Sequence, residues 1–188
     1  GVDRGRYHVL LDSGIELTAV KARELGRRGV VVGDNTKLTG DTSGKKDTLA
    51  RIVRIDERTT ELRRSTEEGD GRERVIVANA DQLAIVTALA QPDPKPGMID
   101  RCLVAAYDSG MTPLLILTKA DLGEPHELLA QYEPLGIRWF VTDVGASGAP
   151  DATLIEALTG HNTVLVGHSG VGKSTLINAL IPSADRAI

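Results

Sequence analysis

The run Gly167-His168-Ser169-Gly170-Val171-Gly172-Lys173-Ser174-Thr175 fits the spacing G-x-x-x-x-G-K-S/T. Residue types in that order can hold the phosphates of a nucleoside triphosphate. The glycines let the backbone wrap closely and turn consecutive N–H groups inward, and a helix starting at Lys173 would add the positive end of its dipole. Lys173 is then placed to reach the β- and γ-phosphate oxygens, Ser174 to ligate Mg²⁺ through its hydroxyl, and Thr175 to contact the α-phosphate. The plain alternative is a tight glycine turn with no ligand. Chance alone would produce this pattern in a chain of this size only on the order of once in a hundred.

A second segment, Thr118-Lys119-Ala120-Asp121, has the pattern N/T-K-x-D directly after an apolar run. Guanine presents an N1–H and an N2 amino group side by side, and one carboxylate such as Asp121 accepts from both. Adenine offers no such pair. Lys119 can lay its methylene stem over the base while its ammonium reaches back toward the phosphate loop. The competing reading makes Asp121 the N-cap of a following helix.

These segments need a frame that brings them together. From Val75 onward apolar runs alternate with helical patterns: strands at 82–89, 113–117, 137–141 and 163–166, and helices at 96–109, 124–132, 151–158 and 173–180, the last ended by Pro182. Such alternation predicts a parallel sheet covered by helices on both faces, because parallel crossovers need a helix-length connection. Ligands of such sheets sit at the carboxyl ends of the strands, where both segments fall. Trp139 and Phe140 alternate on one strand and are read as packing.

The first 64 residues have a different grammar. Short strands at 7–11, 15–20, 29–32, 49–55 and 59–62, broken by Gly, Asp and Asn, predict a small all-β barrel or sandwich; five strands in this length match an oligonucleotide/oligosaccharide-binding (OB) barrel, with a five-stranded barrel of another topology as the alternative. Residues 33–47 read as a polar loop. Residues 65–74 are charged, Gly-bearing and free of apolar side chains, which predicts a connection. The expected organisation is therefore α/β: an OB-like barrel over 1–66, a linker over 67–74, and a nucleotide-binding domain over 75–188.

Composition excludes several classes. With 41% hydrophobic and 26% charged residues the chain is an ordinary globular one and not a disordered one. No apolar run reaches the roughly 20 residues of a membrane span and no signal segment opens the chain, so a cytoplasmic protein is expected. Cys102 is single, and His8, His126, His161 and His168 lack metal-ligand spacing. The net charge of −4 hides an asymmetry: residues 1–66 hold 14 Lys and Arg against 10 Asp and Glu, whereas 67–188 hold 8 against 16. A basic module joined to an acidic one points to an anionic partner for the first.

TKAD precedes the phosphate loop here, the reverse of Ras-like GTPases, so the order reads as circularly permuted. Further stretches are Val77-Ala78-Asn79-Ala80-Asp81-Gln82 at the junction, Glu156-Ala157-Leu158-Thr159-Gly160 before the loop and Leu176-Ile177-Asn178-Ala179-Leu180 after it. On these residues the chain resembles, over essentially its whole length, the ribosome small subunit-dependent GTPase A family, also called RsgA, YjeQ or EngC. The resemblance implies GTP hydrolysis with Mg²⁺, stimulation by the small ribosomal subunit, a role late in its maturation, and release on hydrolysis. It places the base-contacting loop, usually Ser-Ala, at Thr142-Asp143-Val144, where contact would rest on backbone N–H groups. Thr118 stands where many GTPases have Asn and keeps a hydroxyl that can tie the base loop to the phosphate loop. The family's switch I threonine, its D-x-x-G switch II and its Cys/His module for Zn²⁺ are expected beyond Ile188, so no residue here is assigned as catalytic base. One D-x-x-G string, Asp41-Thr42-Ser43-Gly44, follows Thr39-Gly40 and reads as a turn.

For the barrel, the resemblance implies contact with ribosomal RNA, and Lys37, Lys45, Lys46, Arg51 and Arg54 are the candidates to neutralise phosphates, with Arg63 and Arg64 nearby. Tyr7 is the barrel's only aromatic residue, which disfavours base stacking and leaves recognition of the RNA backbone and shape. The expected protein is a monomer that binds GTP or GDP and the small subunit. Two alternatives stand beside it: a P-loop ATPase of unrelated role, and a non-catalytic RNA-binding module with a vestigial nucleotide site.

Overall fold

The computed structural model describes residues 1–3, 5–26, 29–46, 48–65 and 73–181. The chain divides into two compact units, Gly1–Asn79 and Ala80–Ile188.

The first unit contains β1 (Val2–Asp3), β2 (Arg6–Leu10), β3 (Glu16–Lys21), a 3₁₀ turn at Arg23–Leu25, β4 (Thr36–Gly40), β5 (Ala50–Ile55), β6 (Glu61–Ser65) and β7 (Glu73–Ala78). Five of these strands form a sheet in the order β1-β2-β3-β5-β4, while β6 and β7 make a separate hairpin. Neighbours in the larger sheet are antiparallel except β3 and β5, which run parallel. Alternation explains the core. Leu17 and Ala19 of β3 and Ala50, Ile52 and Ile55 of β5 point inward, and Tyr7, Val9 and Leu38 pack on them. Tyr7 thus serves packing.

Three expectations change. The run 29–32 is no strand; its one ladder contact is an isolated bridge between Val32 and Val77. Conversely, the expected loop 33–47 holds β4, whose only large apolar residue is Leu38. A strand with so little apolar signal forms because β5 supplies its backbone partners. The third change concerns the division of the chain. Residues 67–72 of the expected linker lie outside the described residues, but β7 pairs antiparallel with β6, which attaches 73–78 to the first unit. Asp41 behaves as expected: its Oδ1 accepts the Ser43 N–H at 2.8 Å, closing a local turn.

Two side-chain clusters hold this unit where ladders do not. Asn79 adopts a left-handed φ of 56°, which Asn tolerates better than most residues. Its Oδ1 accepts from the Thr59 N–H at 2.8 Å and its Nδ2 donates to the Gly33 carbonyl at 2.8 Å. The Arg58 guanidinium donates through Nε to Asp34 Oδ1 at 2.7 Å, through Nη2 to Asp34 Oδ2 and Gly29 O at 3.0 Å each, and through Nη1 to Glu61 Oε1 at 3.1 Å. The Asp34 side chain is 1% exposed and that of Arg58 11%. This buried fork fixes 29–34 without a strand.

The second unit runs β8 (Gln82–Ala88), α1 (Pro96–Asp108), β9 (Thr112–Thr118), α2 (His126–Tyr132), a 3₁₀ turn at Glu133–Leu135, β10 (Arg138–Val141), α3 (Val144–Ser147), α4 (Ala152–Leu158), β11 (Thr163–Val166) and α5 (Lys173–Leu180). All eight predicted elements are present, with ends moved by a residue or two. The one-turn α3 was not predicted. The sheet order is β10-β9-β8-β11, every pair parallel. Every residue of β8 is buried, as a strand covered on both faces requires. Ala84, Val86 and Ala88 of β8, Leu114 and Ile116 of β9 and Phe140 of β10 pack with Leu154 and Ala157 of α4 and Leu176 of α5. On α1, Ile99, Leu103 and Ala106 are buried, an i, i+4, i+7 stripe.

Local polar bonds fix the helices. Asp151 caps α4 by accepting the Thr153 N–H at 2.8 Å. Tyr132 on α2 donates its hydroxyl to Asp100 Oδ1 of α1 at 3.1 Å, and burial, helped by that carboxylate, pushes the phenol up to about 12. Trp139 is 40% exposed while its neighbour Phe140 is buried, so only the second packs as expected. Cys102 is half-buried on α1, and burial pushes its thiol pKa up. No helix among the described residues is long and apolar enough to cross a membrane.

Candidate functional site

Because the strands of the second unit are parallel, their carboxyl ends lie at one edge of the sheet. Three loops meet there: 118–122 after β9, 142–145 after β10, and 167–172 between β11 and α5. The loop 167–172, the expected phosphate loop, is shaped by its glycines. A Cβ on Gly167 would stand 2.3 Å from the Val86 carbonyl oxygen, so only glycine lets β11 turn so close to β8. Gly172 precedes α5 with φ of 89°, a left-handed conformation that glycine adopts without a steric penalty. Val171 between them is 2% exposed and anchors the loop in the core.

Lys173 is the first residue of α5, and its Nζ donates to the carbonyls of Gly167, at 2.7 Å, and His168. Burial holds its pKa below the ordinary lysine value. An ammonium already stripped of part of its water loses less on meeting an anion than a fully hydrated one. Ser174 and Thr175 are exposed on the first turn of α5, and Ser169 and Gly170 are exposed at the loop tip. His168 is half-buried, and its Nε2 has no hydrogen-bond partner among the described residues.

The loop after β9, expected to read the base, joins the expected phosphate loop through one hydroxyl. Thr118 is 6% exposed, and its Oγ1 donates to the Val171 carbonyl at 2.6 Å, with the Thr87 carbonyl at 3.3 Å. A cavity of about 350 Å³ lies beside this link, lined by Thr118, Lys119, Asp121, Leu122, Asp143, Val144, Gly145, Gly172, Thr175 and Leu176. That volume is in the range of small-molecule sites, and its wall mixes apolar side chains with two carboxylates and one lysine. Among the described residues no three His, Cys, Asp or Glu side chains cluster as a metal site.

The predicted base-site residues do not all reach this cavity. Thr118, Lys119, Asp121 and Asp143 line it, whereas Ala120 and Thr142 do not. Thr142 is 5% exposed, and its N–H donates to the Leu117 carbonyl at 2.8 Å, continuing the β9–β10 ladder, so its part is structural. Val144, part of the expected base-contacting loop, lines the cavity with its neighbour Gly145, whereas Leu122 was not anticipated. Leu122 stands next to Asp121 and was open to inspection as an apolar wall, but a single turn such as α3 has no periodicity to detect. Of the five RNA candidates, all are exposed: Lys37 and Arg54 are Cα partners on β4 and β5, Arg51 is paired with Thr39, and Lys45 and Lys46 lie in the following loop. Arg54 is engaged with Asp56 at 3.0 Å.

The profile of the RsgA GTPase family matches residues 55–188. The chain is 44% identical over 166 residues to the small ribosomal subunit biogenesis GTPase RsgA of Pseudomonas savastanoi pv. phaseolicola, covering 85% of this chain and 46% of the relative. It is 34% identical over 189 residues to the protein of that name from Gemmatimonas aurantiaca, covering 96% and 61%. Among solved structures it resembles YjeQ from Thermotoga maritima, with a TM-score of 0.71 and 25% identity over 96% of this chain and 63% of that one. It is similar also to YloQ, described as a circularly permuted GTPase, with a TM-score of 0.67 and 26% identity over 97% and 62%. The chain spans about half the length of the curated relative it matches at 44% identity. The order of its motifs, the permuted parallel sheet and the match across both loops place this chain in the RsgA GTPase family.

Proposed function

We propose that the chain binds GTP with Mg²⁺ and is the nucleotide-binding part of a cytoplasmic GTPase that acts in biogenesis of the small ribosomal subunit. The observation that carries this reading is the Thr118–Val171 bond beside a cavity whose wall presents Asp121 and Lys119. One rigid link thereby sets the distance between the groups that read a guanine and those that hold its phosphates. Asp121 accepts from guanine N1–H and N2, Lys119 covers the base, Lys173 and the loop N–H groups neutralise the phosphates, and Ser174 holds Mg²⁺. When bound, Mg²⁺ would supply charge neutralisation to the phosphates. GTP hydrolysis and a part in small-subunit biogenesis are supported by the names of the relatives.

Lys173→Ala tests the phosphate half. Titrated with GTP, the variant is expected to bind at least about tenfold more weakly, or roughly 1.4 kcal/mol, with the fold intact by circular dichroism. Unchanged affinity would show that the loop is not the site. If ATP displaced GTP as well as GTP itself does, an ATPase of unrelated role would be the better reading.

The first unit contributes contact with ribosomal RNA, a role supported by its basic balance and by the exposed Lys37 and Arg51, for which no ion-pair partner is found among the described residues. Replacing both with Ala should make the salt dependence of small-subunit binding shallower by about one unit of slope per charge removed. Nucleotide affinity should not move. An unaltered slope would make these charges merely solvated.

A further inference from the structure

Among the described residues, three that are not glycine have a positive φ: Asn79 at 56°, Gln91 at 49° and Lys119 at 56°. The conformation of Asn79 follows from its own side-chain bonds. The other two are bonded to each other, for Lys119 Nζ donates to the Gln91 carbonyl. Neither Gln nor Lys has the short side chain that makes this backbone region tolerable, so both conformations persist only because their surroundings impose them.

Those surroundings are the two nucleotide loops. In the segment that leaves β8, the Leu89 N–H donates to the Thr118 carbonyl at 3.0 Å. The Leu89 carbonyl oxygen lies 3.1 Å, and its Cβ 3.2 Å, from where a Cβ on Gly123 would stand. Pro92 Cδ lies 3.7 Å from the corresponding position on Gly170, at the tip of the phosphate loop. Residues 89–92 therefore form a strap that touches the base loop on both sides of Asp121 and the phosphate loop at its tip. No motif marks the strap.

We propose that Gln91 is a positioning residue for nucleotide binding, acting through Lys119. Its left-handed backbone aims the carbonyl at the Lys119 ammonium and fixes the end of that side chain. The methylene stem of Lys119, a residue that lines the base cavity, is then held in place before a base arrives, and the entropy of ordering a lysine is not lost on binding. This rests on the reading of the cavity as a guanine site. The backbone does the positioning, so the side chain at 91 matters only through the φ it permits. Gly adopts φ near 49° freely, whereas a β-branched residue resists it.

The test is a double-mutant cycle in the whole chain, read by fluorescence titration with a methylanthraniloyl derivative of GDP. Gln91→Val should weaken binding at least about fivefold, within the range of coupling between contacting residues, and Gln91→Gly should stay within about twofold of wild type. In a Lys119→Met background, where no ammonium is left to hold, Gln91→Val should cause no further loss. Thermal melts without nucleotide check folding, and Gln91→Ala takes the place of Val if that variant does not fold. Equal affinity of Gln91→Val and wild type, or losses that simply add in the cycle, would overturn the proposal. A wild-type chain that bound no guanine nucleotide would sink the guanine reading and this role together, whereas tight binding with an additive cycle would remove only the role of Gln91.

Discussion

Asp121→Asn is expected to exchange the preference of the cavity from guanine to xanthine. The wild-type carboxylate has only acceptors to offer, and guanine presents two donors on one edge, N1–H and the N2 amino group. An amide in its place sets an NH₂ against that amino group, and two donors then face each other. Xanthine carries a carbonyl at the same position and can accept from the new amide. Wild type should prefer GTP to ATP by about two decades, or 2.7 kcal/mol, the scale on which a buried polar group left unpaired is penalised. The variant should bind xanthosine triphosphate ahead of GTP. Asp121 is exposed but lines the cavity, so its effect depends on a base that covers it. A competition titration with the three nucleotides decides the matter. Wild type that bound ATP as tightly as GTP, or a variant with no exchange, would reduce Asp121 to a polar residue of the loop.

The largest stability effect is expected in the first unit, at Asp34. Replacing it with Ala removes both carboxylate oxygens from a guanidinium that is 11% exposed and leaves the Val31 N–H, now bonded to Asp34 Oδ2 at 2.8 Å, without its acceptor. An uncompensated buried charge costs about 3–5 kcal/mol. Glu61 still faces Arg58 at 3.1 Å, but its side chain is 28% exposed and water shares its charge, so it offsets only part of the loss. Removing both ends of the fork, with Asp34→Leu and Arg58→Met, should cost far less than Asp34→Ala alone, since no charge is then stranded. Hydrogen exchange at the Ala19 and Ile52 amides, which lie in β3 and β5, reads the first unit separately from the second. Protection unchanged in Asp34→Ala would show that the fork contributes nothing to the fold.

Several features were legible because they depend on neighbours in the chain. The alternation of apolar runs with helical spacing located β8 to β11 and four of the helices, since a strand buried on both faces must be apolar throughout and a covering helix must be apolar every third or fourth residue. The run Gly167 to Thr175 announced a tight glycine turn between β11 and α5, because glycine positions dictate where the backbone may turn. Thr118 was recognisable as a tether because only a hydroxyl or amide at the end of that strand could reach the other loop. Its 2.6 Å bond to Val171 is the geometry such a tether needs.

What the chain order concealed was decided by partners far away in sequence. β4 carries one large apolar residue and forms because β5 lies beside it; the run 29–32 has the right composition for a strand and is held instead by Arg58, 24 residues on from Asp34. The division after Asn79 depends on β7 finding β6, and on Asn79 reaching back to Thr59 and Gly33. Thr142 and Asp143 are adjacent, yet the backbone N–H of the one continues the ladder to Leu117 while the other lines the cavity, a division set by where β9 and β10 pair. The sequence by itself determined which residues could bind phosphate and read a base, since those capacities belong to side-chain types and local turns. Only the tertiary structure decided which of them share a cavity, and that Gln91 stands behind Lys119, because such proximity is produced by strand pairing across tens of residues and leaves no periodic trace along the chain.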